Sequence, residues 1–460
     1  MKILFRNTSL ALLCIFTIIV LNKAAAVPHE KTGKNNRHFL FSVKPSLVVD
    51  TCCLLNVLSN EEPYASYYKS EREEWLTKLI SSDALKQNLQ IWQGHGIPLA
   101  YLMNGSATML AAFQDDPIRW EQQAKSNLNE PAYKAELEFT LAHRKELSSI
   151  LAAIRKSQFN SWWKQHAYQQ LRKKSETIEL ELNERFNNSA LKTLNRFVQC
   201  SSRTQYKENS LPPLYVASFS KPYNFNLANR QACFRSDIDE EDSPCVLLHE
   251  WLHSFNPNPA VQSKHSEMPN ESSFYADAWK RIYVQGKEGE EEEFVVAAEL
   301  YTAVNSSIIS KKSALRRIKN NYGGIPLAGL IYARLMDDYP NGLPEDFDYN
   351  KYLQSLLSAQ KLDGNNLQQE FDNIIAPVKG LAGMKLSRLD ACITVRKVFD
   401  GTPAAQAGIQ QGDIVKSVNS VIVPQSVDRT IDMISGPPGA SFKLAIERKK
   451  QNLELSLTLR

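Results

Sequence analysis

The 460-residue chain has no Cys-x-x-Cys pair, no extended basic tract, no large net charge and no apolar run of bilayer length. Each absence removes a class. Without Cys-x-x-Cys spacing, neither a zinc knuckle nor a thioredoxin-like redox site is indicated. A formal charge of +4 gives no electrostatic case for nucleic acid or an anionic membrane surface as partner. The longest apolar run, residues 9–21, falls short of the ~20 residues of a bilayer span. Behind Lys2 and Arg6, and ahead of Ala24-Ala25-Ala26, it reads instead as a cleaved secretory leader, residues 1–26. Cys14 sits mid-run behind two leucines, which argues against a lipoprotein cleavage site. Export is therefore expected, to the periplasm or beyond, with no membrane association once the leader is removed. That removal takes Lys2, Arg6 and Lys23 and leaves a formal charge of +1. Six cysteines remain, among which Cys200, Cys233 and Cys245 are close enough in sequence for pairing in an oxidising compartment.

What remains is an ordinary globular composition, 43% hydrophobic and 23% charged. At roughly 100–200 residues per domain, two or three units are expected. Residues 71–89 carry Trp75, Leu76, Leu79, Ile80 and Leu85 at helical spacing, and residues 115–208 continue in the same style. Trp162, Trp163, Tyr168 and Leu171 fit a buried helical stripe. Short strands follow at Leu214-Tyr215-Val216-Ala217-Ser218-Phe219 and Ala232-Cys233-Phe234. Residues 312–378 return to helices, and Pro377-Val378-Lys379-Gly380 marks a boundary.

The chemistry concentrates at Leu247-Leu248-His249-Glu250-Trp251-Leu252-His253. In a helix, the four-residue step from His249 to His253 puts both imidazoles on one face about one turn apart, where they can hold one zinc ion. Glu250, on the adjacent face, can take a proton from a zinc-bound water and pass it to a leaving amine. The apolar flanks Val246, Leu247, Leu248, Trp251 and Leu252 suit a buried helix, which Asn256-Pro257-Asn258-Pro259 stops. A third ligand is needed, and the candidates are Glu293, in an acidic run, and Glu299, inside the apolar segment Phe294-Val295-Val296-Ala297-Ala298-Glu299-Leu300-Tyr301; His265 and Asp277 stand behind them. Tyr275, His265 and Tyr301 are the groups available as an oxyanion partner.

Two resemblances add to this. Gly401-Thr402-Pro403-Ala404-Ala405-Gln406-Ala407-Gly408-Ile409-Gln410-Gln411-Gly412-Asp413-Ile414-Val415, with Ser417-Val418-Asn419 and the later Ser441-Phe442-Lys443-Leu444-Ala445-Ile446-Glu447-Arg448, resembles a bacterial PDZ domain. The resemblance implies that residues 380–460 form a small β-rich module, with Leu381-Ala382-Gly383-Met384 as the loop that captures a peptide C-terminus. His249-Glu250-Trp251-Leu252-His253-Ser254-Phe255-Asn256-Pro257 is similar to the helix of an uncharacterised zincin-like, gluzincin-type family. That family's downstream glutamate falls on Glu293, ranking it above Glu299, although this chain has Ala297 where members commonly have arginine. A looser architectural analogy is to glycyl-aminopeptidase-like zinc peptidases, which also join such a domain to a PDZ domain.

The expected architecture is α+β: a leader (1–26), a mainly helical N-terminal region (27–208) of a zincin-like unit, its catalytic core (209–378) and a PDZ domain (380–460). The expected function is an exported zinc metallopeptidase acting on a peptide or protein substrate, with one zinc ion on His249, His253 and Glu293 or Glu299, and Glu250 as catalytic base. The competing class is a non-catalytic peptide-binding protein that works through its PDZ domain.

Overall fold

The computed structural model describes residues 41–460 apart from 80–81, 104–105, 116, 128–130, 199–210, 228–230, 287–288, 363 and 390–391. The expected leader, the stretch 27–37, Cys200 and the expected boundary at 208/209 lie outside the described residues. No helix among the described residues is long and apolar enough to cross a membrane.

Strand β1 (Val43–Pro45) runs into helix α1 (Leu47–Leu58), started by Ser46, whose hydroxyl accepts from Val49 N at 3.3 Å. Every residue of α1 after Leu47 is buried, and a helix apolar on all sides belongs in an interior. Asp50, Thr51 and Asn56 are its polar residues and are buried as well, and the charged one is Asp50. Its carboxylate accepts from Trp163 Nε1 and Ser218 N, each at 2.6 Å, and from Phe219 N at 3.2 Å. One buried side chain thus ties the central helix to a distant aromatic and to the loop after the second strand.

Helices α2 (Tyr168–Arg185) and α3 (Asn188–Val198) precede three more strands: β2 (Leu214–Ala217), β3 (Phe225–Leu227) and β4 (Gln231–Arg235). The sheet order is β1-β2-β4-β3, with β1, β2 and β4 parallel and β3 antiparallel to β4. Side chains of α2 close the β1 edge, because Glu179 accepts from Val43 N and Asn183 from Phe41 N, both at 2.9 Å. The other edge is β3. The strands at 214–217 and 231–235 follow the sequence pattern, whereas β1 and β3, three residues each, are too short to show a period.

Helix α4 (Ser243–Leu252), with Pro244 in its first turn, is followed by α5 (Pro259–Glu271), α6 (Glu292–Asn305), α7 (Lys311–Asn320) and α8 (Pro326–Asp338). Helix α4 ends earlier than its prolines require. His253 is the C-cap, and a tight turn closed by Phe255 N to Leu252 O at 2.7 Å ends the helix before Asn256. The expected helix over 71–89 is two, Lys69–Leu79 and Asp83–Ile91, because the Ser82 hydroxyl caps a fresh start at Leu85 N, 3.4 Å away. One apolar core runs from Phe41 to Val378, across the expected division at 208/209.

A second, separate apolar core begins at Ile393. Strands β5 (Met384–Leu389), β6 (Cys392–Val398), β7 (Ile414–Val418), β8 (Val421–Ile422), β9 (Ser441–Arg448) and β10 (Gln451–Thr458) form an antiparallel sheet in the order β10-β9-β7-β6-β5, with β8 on β7. Helix α9 (Val427–Met433) lies between β8 and β9 in the chain. The whole is α+β, helical first and strand-rich last. Among the described residues Cys52, Cys53, Cys233, Cys245 and Cys392 are free thiols, so the pairing considered for Cys233 and Cys245 does not occur between them.

Burial pushes the Asp50 carboxyl up from 3.8 to about 7, against the pull of its three N–H donors. A raised carboxyl binds its proton more tightly folded than unfolded, so its contribution to stability falls as pH rises from about 4 to about 7. Urea unfolding of wild type and Asp50→Asn across that window should show wild type losing stability relative to the variant as pH rises. Parallel curves would contradict this account of the central helix.

Candidate metal centre and cleft

Helix α4 carries His249 and His253 on one side and buries Leu247, Leu248, Trp251 and Leu252 on the other. Helix α6 is buried from Glu292 to Ala303, so its acidic side chains are held inside the fold against α4. His249 Nε2 and His253 Nε2 lie 3.2 Å apart, and Glu292 Oε2 is 3.5 Å from the first and 3.8 Å from the second. These three atoms are the one group of potential metal ligands found among the described residues, all within 4.8 Å of one another. Zinc ligands at about 2.0–2.2 Å in a tetrahedron are roughly 3.3–3.6 Å apart, so the trio fits one ion. The outer nitrogens are also engaged: His249 Nδ1 faces Glu299 Oε2 at 3.2 Å and His253 Nδ1 faces Glu291 Oε1 at 3.1 Å. Carboxylates behind the imidazoles orient the Nε2 lone pairs inward, as metal-ligating histidines require.

The same carboxylates set the charge of the His249 ring. Burial pulls the His249 imidazole down, but Glu292, then Glu299 and Glu250, outweigh it and hold the ring up at about 10. Without a cation the carboxylates thus favour a proton on this ring, which a bound metal ion would have to displace.

The expected third ligand, Glu293, is not in this group. It is fully buried and turned toward helix α8, where Oε1 accepts from Leu327 N at 3.0 Å and Ala328 N at 3.3 Å. Its Oε2 accepts from Tyr275 OH at 2.5 Å and Tyr283 OH at 3.3 Å. Ile325, at the N-cap of α8, offers no side-chain acceptor, and Glu293 supplies one from another helix. Glu299, the alternative, reaches Nδ1 of His249 and so stands behind the ligand rather than beside it. The residue passed over is Glu292. Successive helical residues are rotated by about 100°, so Glu292 and Glu299, seven apart, share a face that Glu293 cannot. That spacing was the available signal.

The three expected oxyanion candidates are occupied elsewhere. His265 Nε2 lies 2.9 Å from Tyr275 OH, inside the Glu293 network, and Tyr301 OH donates to Tyr339 O at 2.7 Å. Asp277 is exposed. The cleft over the imidazoles has a volume of about 690 Å³, and its lining includes Glu250, Tyr101, Tyr223, Phe225 and Tyr322. Residues Tyr223 to Asn226 bring the β3 edge into that lining. Tyr322 holds φ +50°, a left-handed conformation that costs a non-glycine residue about 1–3 kcal/mol.

The loop expected to capture a C-terminus precedes and enters β5. Leu381 N donates to Arg460 O at 2.8 Å, and Ala382 O accepts from Ala404 N at 2.9 Å. Gly383 has φ +77°, and a Cβ there would meet Thr402 at 2.1 Å, so only glycine fits.

Comparison with known proteins supports the C-terminal module. Residues 394–448 match the PDZ domain family, and the chain carries a C-terminal PDZ domain. A carboxy-terminal-processing protease of Bartonella bacilliformis is 23% identical over 165 residues, covering 34% of this chain and 37% of that protein. The chain thus spans little more than a third of the curated relative's length. Among solved structures, an HtrA-type protease with a decapeptide is 18% identical over 23% of this chain and 32% of its own, with a TM-score of 0.17. An aminopeptidase N family protein of Idiomarina loihiensis is 12% identical over 62% of both chains, with a TM-score of 0.22. At such TM-scores these two likenesses carry no structural argument.

The geometry assigns distinct outcomes to neighbouring glutamates. Elemental analysis and chelator competition should find zinc lost in Glu292→Ala, bound about 10–100-fold more weakly in Glu299→Gln, and retained in Glu293→Gln, whose Tm falls instead. Zinc lost from Glu293→Gln but retained by Glu292→Ala would reverse the assignment.

Proposed function

We propose that this protein is a zinc-dependent metallopeptidase with a PDZ domain for docking a peptide or protein. The observation that carries the reading is the convergence of His249 Nε2, His253 Nε2 and the Glu292 carboxylate within 4.8 Å, with Glu250 in the lining of the same cleft. Those three side chains would hold the ion, while Glu291 and Glu299 orient the imidazoles. A zinc ion there would supply Lewis acidity, lowering the pKa of a water toward 7 and polarising a carbonyl oxygen.

Glu250 is the residue left for proton transfer. It is 8% exposed, follows His249 directly and lines the cleft, so its carboxylate can accept a proton from an attacking water and return it to the departing amine. Strand β3 ends the sheet on the cleft side, and an extended peptide could add to that edge as a further strand, with Tyr101, Tyr223 and Phe225 beside it. The curated relative is named a processing protease, and the PDZ domain adds a second place for a peptide to dock.

Exchange of Glu250 for Gln keeps size and removes the base. Hydrolysis of a quenched fluorescent peptide library by zinc-loaded protein should fall about 10²–10⁴-fold in Glu250→Gln with zinc content unchanged. A zinc-replete wild type without hydrolysis, or a variant as active as wild type, would leave the peptide-binding protein as the better description.

A further inference from the structure

Two departures from regular backbone meet at the cleft. Tyr322, in the turn Asn321–Gly323 after α7, holds φ +50° and ψ +21°. The segment Lys280–Gln285 is a π-helical stretch, closed by Gly286 N to Arg281 O at 3.0 Å. Such π turns are rare and frequently mark functional sites, and a left-handed non-glycine residue persists only where its surroundings over-determine it.

One side chain joins the two. Arg281 Nε donates to Tyr322 O at 2.7 Å, and the side chain passes over Gly323, where a Cβ would come within 3.3 Å of Nε. The π stretch also delivers Gln285 and Gly286 to the cleft, which they line together with Tyr322. A Cβ at Gly286 would come within 3.2 Å of Tyr322 Cε1, so the ring lies directly against this turn. Tyr283, in the same stretch, donates to Glu293 Oε2 at 3.3 Å, which ties the turn to the start of α6 beside Glu292. The ring is thus held from two sides, its backbone by Arg281 and its edge by Gly286.

The rest of the lining indicates what the ring is held for. Tyr101, Tyr223 and Phe225 face the same cleft, with Pro63 and Pro222. Rings and pyrrolidines supply apolar area, which an apolar side chain fills, and an aromatic one gains ring-to-ring contact besides. Glu250 and Glu291 in the same lining oppose an acidic side chain by like charge.

We infer that Tyr322 determines specificity by presenting its ring to an aromatic side chain of the substrate, and that Arg281 is a positioning residue which keeps that ring in the cleft. The inference rests on the peptidase reading for the substrate being a peptide, whereas selection by the ring is a property of binding alone.

Fluorescence anisotropy on the full, zinc-loaded chain carrying Glu250→Gln tests it. The probes are octapeptides of glycine and serine with Phe, Ala, Lys or Asp at the centre, labelled at the N-terminus and amidated at the C-terminus so that neither end is free. The Phe peptide should bind about tenfold or more tighter than the Ala peptide, and tighter than the Lys and Asp peptides. Tyr322→Asn, which tolerates the left-handed backbone, should lower the Phe-to-Ala ratio about tenfold, while Tyr322→Phe, which keeps the ring, should preserve it. Arg281→Met should lower the ratio as Tyr322→Asn does, and the two together no further, with zinc content unchanged throughout. Absence of binding by every peptide, a preference for Lys or Asp, or a ratio that survives Tyr322→Asn would overturn the inference. So would a ratio lost in Tyr322→Phe, an additive loss in the double variant, or zinc lost together with the ring. Because binding is read in a variant that lacks the base, a wild type without hydrolysis counts against the peptidase reading and leaves this comparison intact.

Discussion

Two imidazoles and four carboxylates share one partly buried corner where α4 meets the start of α6, and much of the molecule serves to keep them there. His249 and His253 face Glu292 directly, with Glu291 and Glu299 behind them and Glu250 beside them. Buried charge of one sign is expensive unless it is paired or coordinates a metal. A cation between the rings would resolve the cost, and the apolar sides of both helices supply the packing that prevents the groups from moving apart. The sheet is arranged around the same corner: α2 closes one edge, while the β3 edge lines the cleft.

What could be read in advance follows from the range of the interaction concerned. The His249–His253 pair is a property of one helix turn, so its spacing alone places both rings on one side. The third ligand depends on the rotational phase of a second helix, and there a single residue matters. Glu293 and Glu299, the two expected candidates, are six apart and cannot share a face of α6. Resemblance favoured Glu293, whose real partners are the start of α8 and two tyrosine hydroxyls. The tyrosines of the cleft were illegible for a similar reason: Tyr101, Tyr223 and Tyr322 reach it from three separate segments. The PDZ domain was legible because its signature is contiguous, with Gly383 at a position where Thr402 leaves no room for a Cβ.

The relation between the two cores could not be anticipated at all. Arg316, Glu241 and Lys319 look like ordinary surface charges in a linear reading, yet each makes contacts that cross or border the junction. Glu241 and Asp242 sit at the entrance to α4, so the residues that fix the PDZ domain adjoin the helix that carries both histidines. Attachment of the PDZ domain and the two imidazoles are thereby carried by one segment of chain.

The central claim is a single ion held by two imidazoles and a carboxylate. X-ray absorption at the zinc K-edge of the loaded protein tests it most directly. The account predicts two nitrogen scatterers with imidazole character at about 2.0–2.1 Å, oxygen at about 2.0–2.2 Å and no sulfur. A sulfur shell near about 2.3 Å, or an all-oxygen shell without imidazole scattering, would contradict it.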